Sequence, residues 1–185
     1  MQLTDLTDAL SLTRQMIDIP SVSGQEGPLA DAVEAAARSA GFGTVPALEI
    51  LRDGDAVCAR TRLGLPQRVV LAGHLDTVPI ADNVPGRTEI RDGVDVVWGR
   101  GSVDMLGGCA AALALACEVG PLIAAGEHAA LTADVTWIFY DHEEVASHLN
   151  GLGRIERNHP QWLAGDLALL GEPTAAHVEG GCNGT

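Results

Sequence analysis

The sequence predicts a layered α/β domain with a mainly parallel or mixed central sheet, and three observations carry that prediction. Helical and extended segments alternate along 185 residues, a length that fits one domain with a real core. Hydrophobic residues make up 46% of the chain and aromatics only 3%, so aliphatic side chains must fill the interior. Acidic residues follow the apolar runs closely, at the strand ends where open α/β sheets place their ligands.

Residues 4–19 carry Leu6, Leu10, Leu12, Met16, Ile17 and Ile19 at helical intervals, with Thr4 or Asp5 to cap them and Pro20 to stop them. After a short turn over 21–24, residues 25–40 read as a second helix ending at Gly41-Phe42-Gly43. Segments 45–52 and 55–62 are two strands joined at Asp53-Gly54, a hairpin signal. Residues 68–73 form a buried strand that delivers His74 and Asp76. Residues 80–95, polar and rich in Gly and Pro, are a surface excursion with a short hairpin about Asp92-Gly93. Asp104 then precedes a helix over 105–119 with Gly107 and Gly108 in its first turn. Glycine lowers helix stability there, which points to close packing against backbone or to room beside a site. Val135–Tyr140 is β-branched and aromatic, a strand that runs into Asp141, His142, Glu143 and Glu144. A helical piece follows, then a last short strand, Leu167–Leu170, that ends at Gly171-Glu172. No internal repeat, low-complexity tract or interior linker interrupts this order.

A formal net charge of −14 argues against nucleic acid, whose phosphates call for clustered lysine and arginine. No apolar run is expected to reach membrane-spanning length, and the first residues lack the basic region of a signal peptide. The cysteines, Cys58, Cys109, Cys117 and Cys182, show no CxxC spacing. Cys109 and Cys117 fall on one helix about 12 Å apart along its axis, too far to bridge. Reduced thiols and a cytoplasmic location are the expectation.

The acidic residues that follow apolar runs, with one histidine, form a candidate metal centre. His74 and Asp76 share a strand face, and a carboxylate beside a ligating imidazole fixes its tautomer. Asp104, at the entrance of a helix, has its anionic form favoured by the dipole and can bridge two cations. Glu143 and Glu144 point apart if both stay extended, so one can ligate while the other takes a proton from water. Glu172 completes the set. His142 is expected to point away from Glu143, in a packing or surface role. Gly-x-Ser-x-Gly is absent, which disfavours a serine hydrolase, and Gly99-Arg100-Gly101 lacks the third glycine of a dinucleotide loop.

These residues resemble the co-catalytic zinc amidohydrolases, a family that includes succinyl-diaminopimelate desuccinylase, acetylornithine deacetylase, aminoacylase and carboxypeptidase G. The matching strings are residues 73–79, residues 99–105 with Gly107-Gly108, Glu143-Glu144, and residues 171–174, with 19–23 also fitting. The desuccinylase branch of actinobacterial type is the nearest, through residues 140–145, 150–155 and 179–182. The resemblance implies a layered α/β/α zinc-peptidase-like catalytic domain, incomplete at its C-terminus. Residues 1–175 would be its N-terminal part, and 176–185 the start of a lid and dimerisation domain. It implies two Zn2+ ions, with Co2+ or Mn2+ as possible substitutes. His74 and Glu172 would hold the first and Glu144 the second, with Asp104 bridging them. Asp76 would orient His74, and Glu143 would act as general base and then general acid. The implied substrate is a small N-acyl amino acid, first N-succinyl-LL-2,6-diaminopimelate on the way to lysine. An acetylornithine deacetylase, another N-acyl amino acid amidohydrolase or a non-catalytic metal-binding fragment are the alternatives. No nucleic acid or membrane partner is expected, and a homodimer is expected of the full-length protein.

Two departures from the family stand out. Leu106 occupies a position where the family often has lysine, and His142 one where it often has aspartate. The ligand count also falls short: the second metal collects only Asp104 and Glu144, and zinc sites usually take three protein ligands. The missing histidine lies near the C-terminus in the family. His128, His148, His159 and His177 have no neighbouring motif, and His177 is the nearest of them to Glu172. The 185-residue chain is therefore expected to bind one zinc well and a second poorly, with slow or no turnover.

Overall fold

The structure is a computed structural model that describes residues 2–175 and 177–180. Cys182, and with it the end of the 179–182 string, lies outside the described residues.

Helix α1 (Ala9–Ile17) starts five residues later than the periodicity suggests. Asp8 is its cap, taking the backbone N–H groups of Leu10 and Ser11. Thr4 instead exchanges hydrogen bonds with Gln15, which folds the leading segment back along the helix. Helix α2 (Gly27–Ser39) follows, with Pro28 in its first turn, where a missing N–H costs nothing. Strands β1 (Leu48–Asp53) and β2 (Ala56–Thr61) form the expected antiparallel hairpin. Strand β3 (Arg68–His74) comes next, and then a separate two-stranded ribbon of β4 (Arg87–Arg91) and β5 (Val94–Trp98) about Asp92-Gly93.

Helix α3 (Leu106–Ala124) is longer than the sequence suggests, because Pro121 does not end it. The proline gives up one intrahelical bond, but buried Ile123 anchors the last turn. With 19 residues and a mean hydropathy of 1.8 in its most apolar window, α3 passes the length and composition test for a membrane span, against the sequence expectation. Here it packs on α1, α2 and β3 and carries much of the core. Strand β6 (Asp134–Tyr140), helix α4 (Gly151–Asn158) and strand β7 (Leu167–Leu170) complete the order.

The main sheet runs β1-β2-β6-β3-β7, with β2 antiparallel to both of its neighbours, β1 and β6, and with β6, β3 and β7 parallel. It is the mixed sheet the alternating pattern predicts. Side-chain alternation divides its two faces. Val57, Ala59, Trp137 and Phe139 join α1, α2 and α3 in one core, while Ala56, Cys58, Ile138 and Tyr140 join Ile155 of α4 and Trp162 in the other. The result is three layers, α/β/α.

The parallel strands matter most for the site. Because β3, β6 and β7 run the same way, residues just past their ends emerge at one edge of the sheet. The entrance of α3 is pressed onto that edge. A Cβ on Gly73 would lie 2.6 Å from Met105 and 2.7 Å from the Cys109 sulfur, and one on Gly108 would lie 2.5 Å from the Gly171 carbonyl oxygen. Close helix–backbone packing is thus the reason for the glycines in the first turn of α3.

Candidate metal centre

His74 ends β3 and is buried, with 1% of its surface exposed. Its main chain is fixed by two sulfur groups of the α3 entrance: the His74 N–H donates to the Met105 sulfur, and the Cys109 thiol donates to the His74 carbonyl. Its Nδ1 lies 2.9 Å from the Asp76 carbonyl oxygen, and because a carbonyl only accepts, Nδ1 carries the proton. That leaves Nε2 facing the carboxylates, 3.2 Å from Asp104 Oδ1 and 4.0 Å from Glu172 Oε1.

Asp76 meets the His74 ring through two groups. Its carboxylate approaches His74 Nδ1 only to 3.5 Å, while its own carbonyl is the nearer partner. The carboxylate is fully buried and accepts from the Ser23 hydroxyl at 2.7 Å and from the N–H groups of Glu143 at 2.9 Å and Glu144 at 3.0 Å. One carboxylate thus ties the 21–23 segment, the end of β3 and the loop after β6 together. Ser21 and Ser23 belong to this frame: Val22 bridges Thr77 in parallel, and the Ser21 hydroxyl donates to the Leu75 carbonyl. Ser23 was a role that sequence reasoning missed, since its partner is 53 residues away.

Asp104 sits in the turn before α3, two residues ahead of the first helical residue, and makes no capping bond. It is half exposed and open to a ligand. Glu143 and Glu144 lie beyond the end of β6, so the strand alternation that would point them apart does not govern them. Strand β6 ends at Tyr140, and His142 takes a left-handed conformation with φ 59°. The turned backbone brings both glutamates to the His74 side. Among the described residues two sets of donor atoms result, each mutually within 4.8 Å: His74, Asp104 and Glu172, and His74, Glu143 and Glu144. Neither includes another histidine. His142 turns to Asp141, at 2.7 Å, and to Glu26, at 3.4 Å.

Electrostatics fits a cation. Burial pushes Glu172 upward, and the charges of Asp104, Glu143 and Glu144 add to that against the opposing His74. Glu144 is raised by burial and by Asp104. Carboxylates crowded in this way are relieved by a dication between them. Burial works against the His74 cation, but the hydrogen bonds and charge of Asp76, with the charge of Glu172, push the imidazole up to about 9. Burial would raise Asp76, but bonds from His74, Glu143, Ser23 and Glu144 hold it at about 2. Beside these donors opens a cleft of about 350 Å³ lined by Val78, residues 99–104 and Glu144.

Residues 70–183 match peptidase family M20/M25/M40. The chain belongs to this family. Among its M20-type relatives, the succinyl-diaminopimelate desuccinylase of Corynebacterium glutamicum is 49% identical over 179 residues, 97% of this chain and 45% of that protein. The desuccinylase of Bradyrhizobium sp. (strain ORS 278) is 32% identical over 192 residues, 96% of this chain and 46% of that protein. The chain therefore spans less than half the length of these relatives. Among solved structures, the dipeptidase Dug1p of Saccharomyces cerevisiae superposes with a TM-score of 0.63 at 16% identity, covering 88% of this chain and 37% of that one. The YXEP protein of Bacillus subtilis, described as a dinuclear metal binding peptidase from the M20 family, gives 0.58 at 17% identity over 89% of this chain and 42% of that one. At such identities the M20 likeness is one of fold.

Proposed function

We propose that this chain is the N-terminal part of a metal-dependent amide hydrolase that converts N-succinyl-LL-2,6-diaminopimelate and water to succinate and LL-2,6-diaminopimelate. The observation that carries the reading is the convergence of four carboxylates, Asp104, Glu143, Glu144 and Glu172, on the His74 imidazole, in a chain 49% identical to a desuccinylase. Residues 1–175 are read as part of the catalytic domain and 176–185 as the start of a lid and dimerisation domain, in a cytoplasmic homodimer. Among the described residues β7 has no strand on its outer side, which supports the reading of an incomplete domain. Leu167, Leu169 and Leu170 of β7 are about half exposed beside an apolar groove of about 310 Å³ that Leu115 of α3 also lines.

The donor set fits two zinc ions, borderline-soft cations that take imidazole and carboxylate together, with Co2+ or Mn2+ as substitutes. His74 and Glu172 would hold one, Glu144 the other, and Asp104 both. Bound there, the metals would polarise the amide carbonyl and acidify water. Glu143 takes the proton of the attacking water and returns it to the leaving amine nitrogen. Asp76 holds the main chain of Glu143 and Glu144, and its carbonyl keeps the Nδ1 proton on His74, so Nε2 faces the metal. The deciding experiment compares hydrolysis of N-succinyl-LL-2,6-diaminopimelate with that of N-acetylornithine by the full-length protein; preference for the acetyl substrate overturns the assignment.

Metal binding by the 185-residue chain has its own expected result. Calorimetry with Zn2+ should find one tight site and one weaker site, because three donor residues converge on the first and the second lacks a histidine of its own. His74 holds its proton up to about pH 9 without metal, and a ligating Nε2 must lose it. Binding at pH 7.5 should therefore release about one proton, and affinity should rise about tenfold per pH unit until the raised His74 value is passed. Two equally tight sites, or binding indifferent to pH, contradict this arrangement.

A further inference from the structure

Glu26 stands immediately before α2, in the cap position, yet its side chain makes no capping bond. It is 0% exposed, and its carboxylate reaches the loop after β6, 116 residues away. Oε1 accepts from the His142 N–H at 3.2 Å and lies 3.4 Å from His142 Nδ1, while Oε2 has no partner among the described residues. A buried carboxylate so sparsely bonded costs stability, and at this position a serine or aspartate would cap the helix better. The cost coincides with a geometric service. His142 donates its N–H to Glu26, and the next two residues, Glu143 and Glu144, donate theirs to Asp76. Three consecutive main-chain N–H groups are thus held by two buried carboxylates from distant parts of the chain.

We propose that Glu26 is a positioning residue for the Glu143–Glu144 pair, holding the left-handed turn at His142 that brings both carboxylates to the His74 side. It belongs to neither set of metal donors; it acts through the His142 backbone. The inference deepens the proposed function and rests on that reading only for the metal role of Glu144. Asp141 braces the same turn from the other side, with its Oδ2 2.7 Å from His142 Nδ1. Asp141 is itself gripped by Arg154, so the turn is pinned at its ring and at its main chain by different elements.

The test measures amide hydrogen exchange and Zn2+ titration of the 185-residue chain carrying Glu26→Ala, Glu26→Asp or Glu26→Gln. Glu26→Ala should speed exchange at Glu143 and Glu144 at least tenfold while leaving Trp137 and Ile138 in β6 unchanged. It should also weaken the second Zn2+ site about tenfold and spare the first. Glu26→Asp keeps the charge but withdraws the acceptor by one methylene, so it should loosen the same amides, and it serves if the alanine variant does not fold. Glu26→Gln keeps an oxygen for the His142 N–H and should stay within about twofold of the parent. Unchanged exchange at Glu143 and Glu144, acceleration spread equally over β6, or a glutamine variant as loose as the alanine one would each overturn the proposal. A parent chain that binds no Zn2+ yet shows the selective loosening would instead defeat the metal reading and leave the positioning role standing.

Discussion

Glu143→Gln should lower amide hydrolysis by the full-length protein by roughly 10²–10⁴-fold, the usual worth of a positioned general base, with bound metal unchanged. Glutamine has nearly the same shape and keeps a side-chain oxygen, but it cannot take a proton from water at neutral pH. Glu143 and Glu144 both come within 4.8 Å of a His74 ring nitrogen, so the structure leaves either able to ligate. The paired measurement separates the two roles. Loss of turnover at constant metal content assigns Glu143 to proton transfer and Glu144 to the cation. Loss of one metal equivalent in step with activity would make Glu143 a ligand, and an unaffected rate would remove it from the chemistry.

Arg154→Leu should destabilise the chain by about 3 kcal/mol, the lower end of what removing one partner of a buried ion pair costs. Asp141 is 2% exposed and takes two bonds from the guanidinium, at 3.0 and 2.6 Å. Arg154 also reaches the β1–β2 turn, where its Nε donates to the Asp53 carboxylate and its Nη2, shared with Asp141, donates to the Asp53 carbonyl. Leucine would leave the Asp141 charge buried with only His142 beside it. The lower figure applies because a quarter of the Arg154 side chain meets solvent, which softens the low dielectric around the pair. Urea denaturation measures the loss. Adding Asp141→Leu should recover part of it, since the uncompensated charge is then gone; a double variant no better than the single one would locate the cost in the Asp53 contacts.

The order of elements and most of the candidate centre were legible because their signals are local. An apolar run ending in His74, another ending before Glu143 and a third before Glu172 mark parallel strand ends, and parallel strand ends share an edge. What was not legible depends on distant contacts. The start of α1 turned on Asp8 competing with Thr4 and Asp5, and on Gln15 drawing Thr4 back along the helix. The length of α3 turned on burial outweighing Pro121. The disposition of Glu143 and Glu144 turned on the end of β6 at Tyr140 and on a left-handed His142, which no alternation rule foresees. The sequence placed the Asp76 carboxylate beside the His74 ring, where it lies 3.5 Å from Nδ1, but nothing local foretold that the Asp76 carbonyl would come nearer or that Ser23 and two amides would share the carboxylate.

The row of leucines on β7 gives this polypeptide a colloidal character that its overall charge restrains. Among the described residues β7 has no strand on its outer side, and such an edge beside half-exposed aliphatic chains is a template on which a second molecule can add itself. A net charge of −14 opposes such encounters in dilute buffer, and salt shortens the reach of that repulsion.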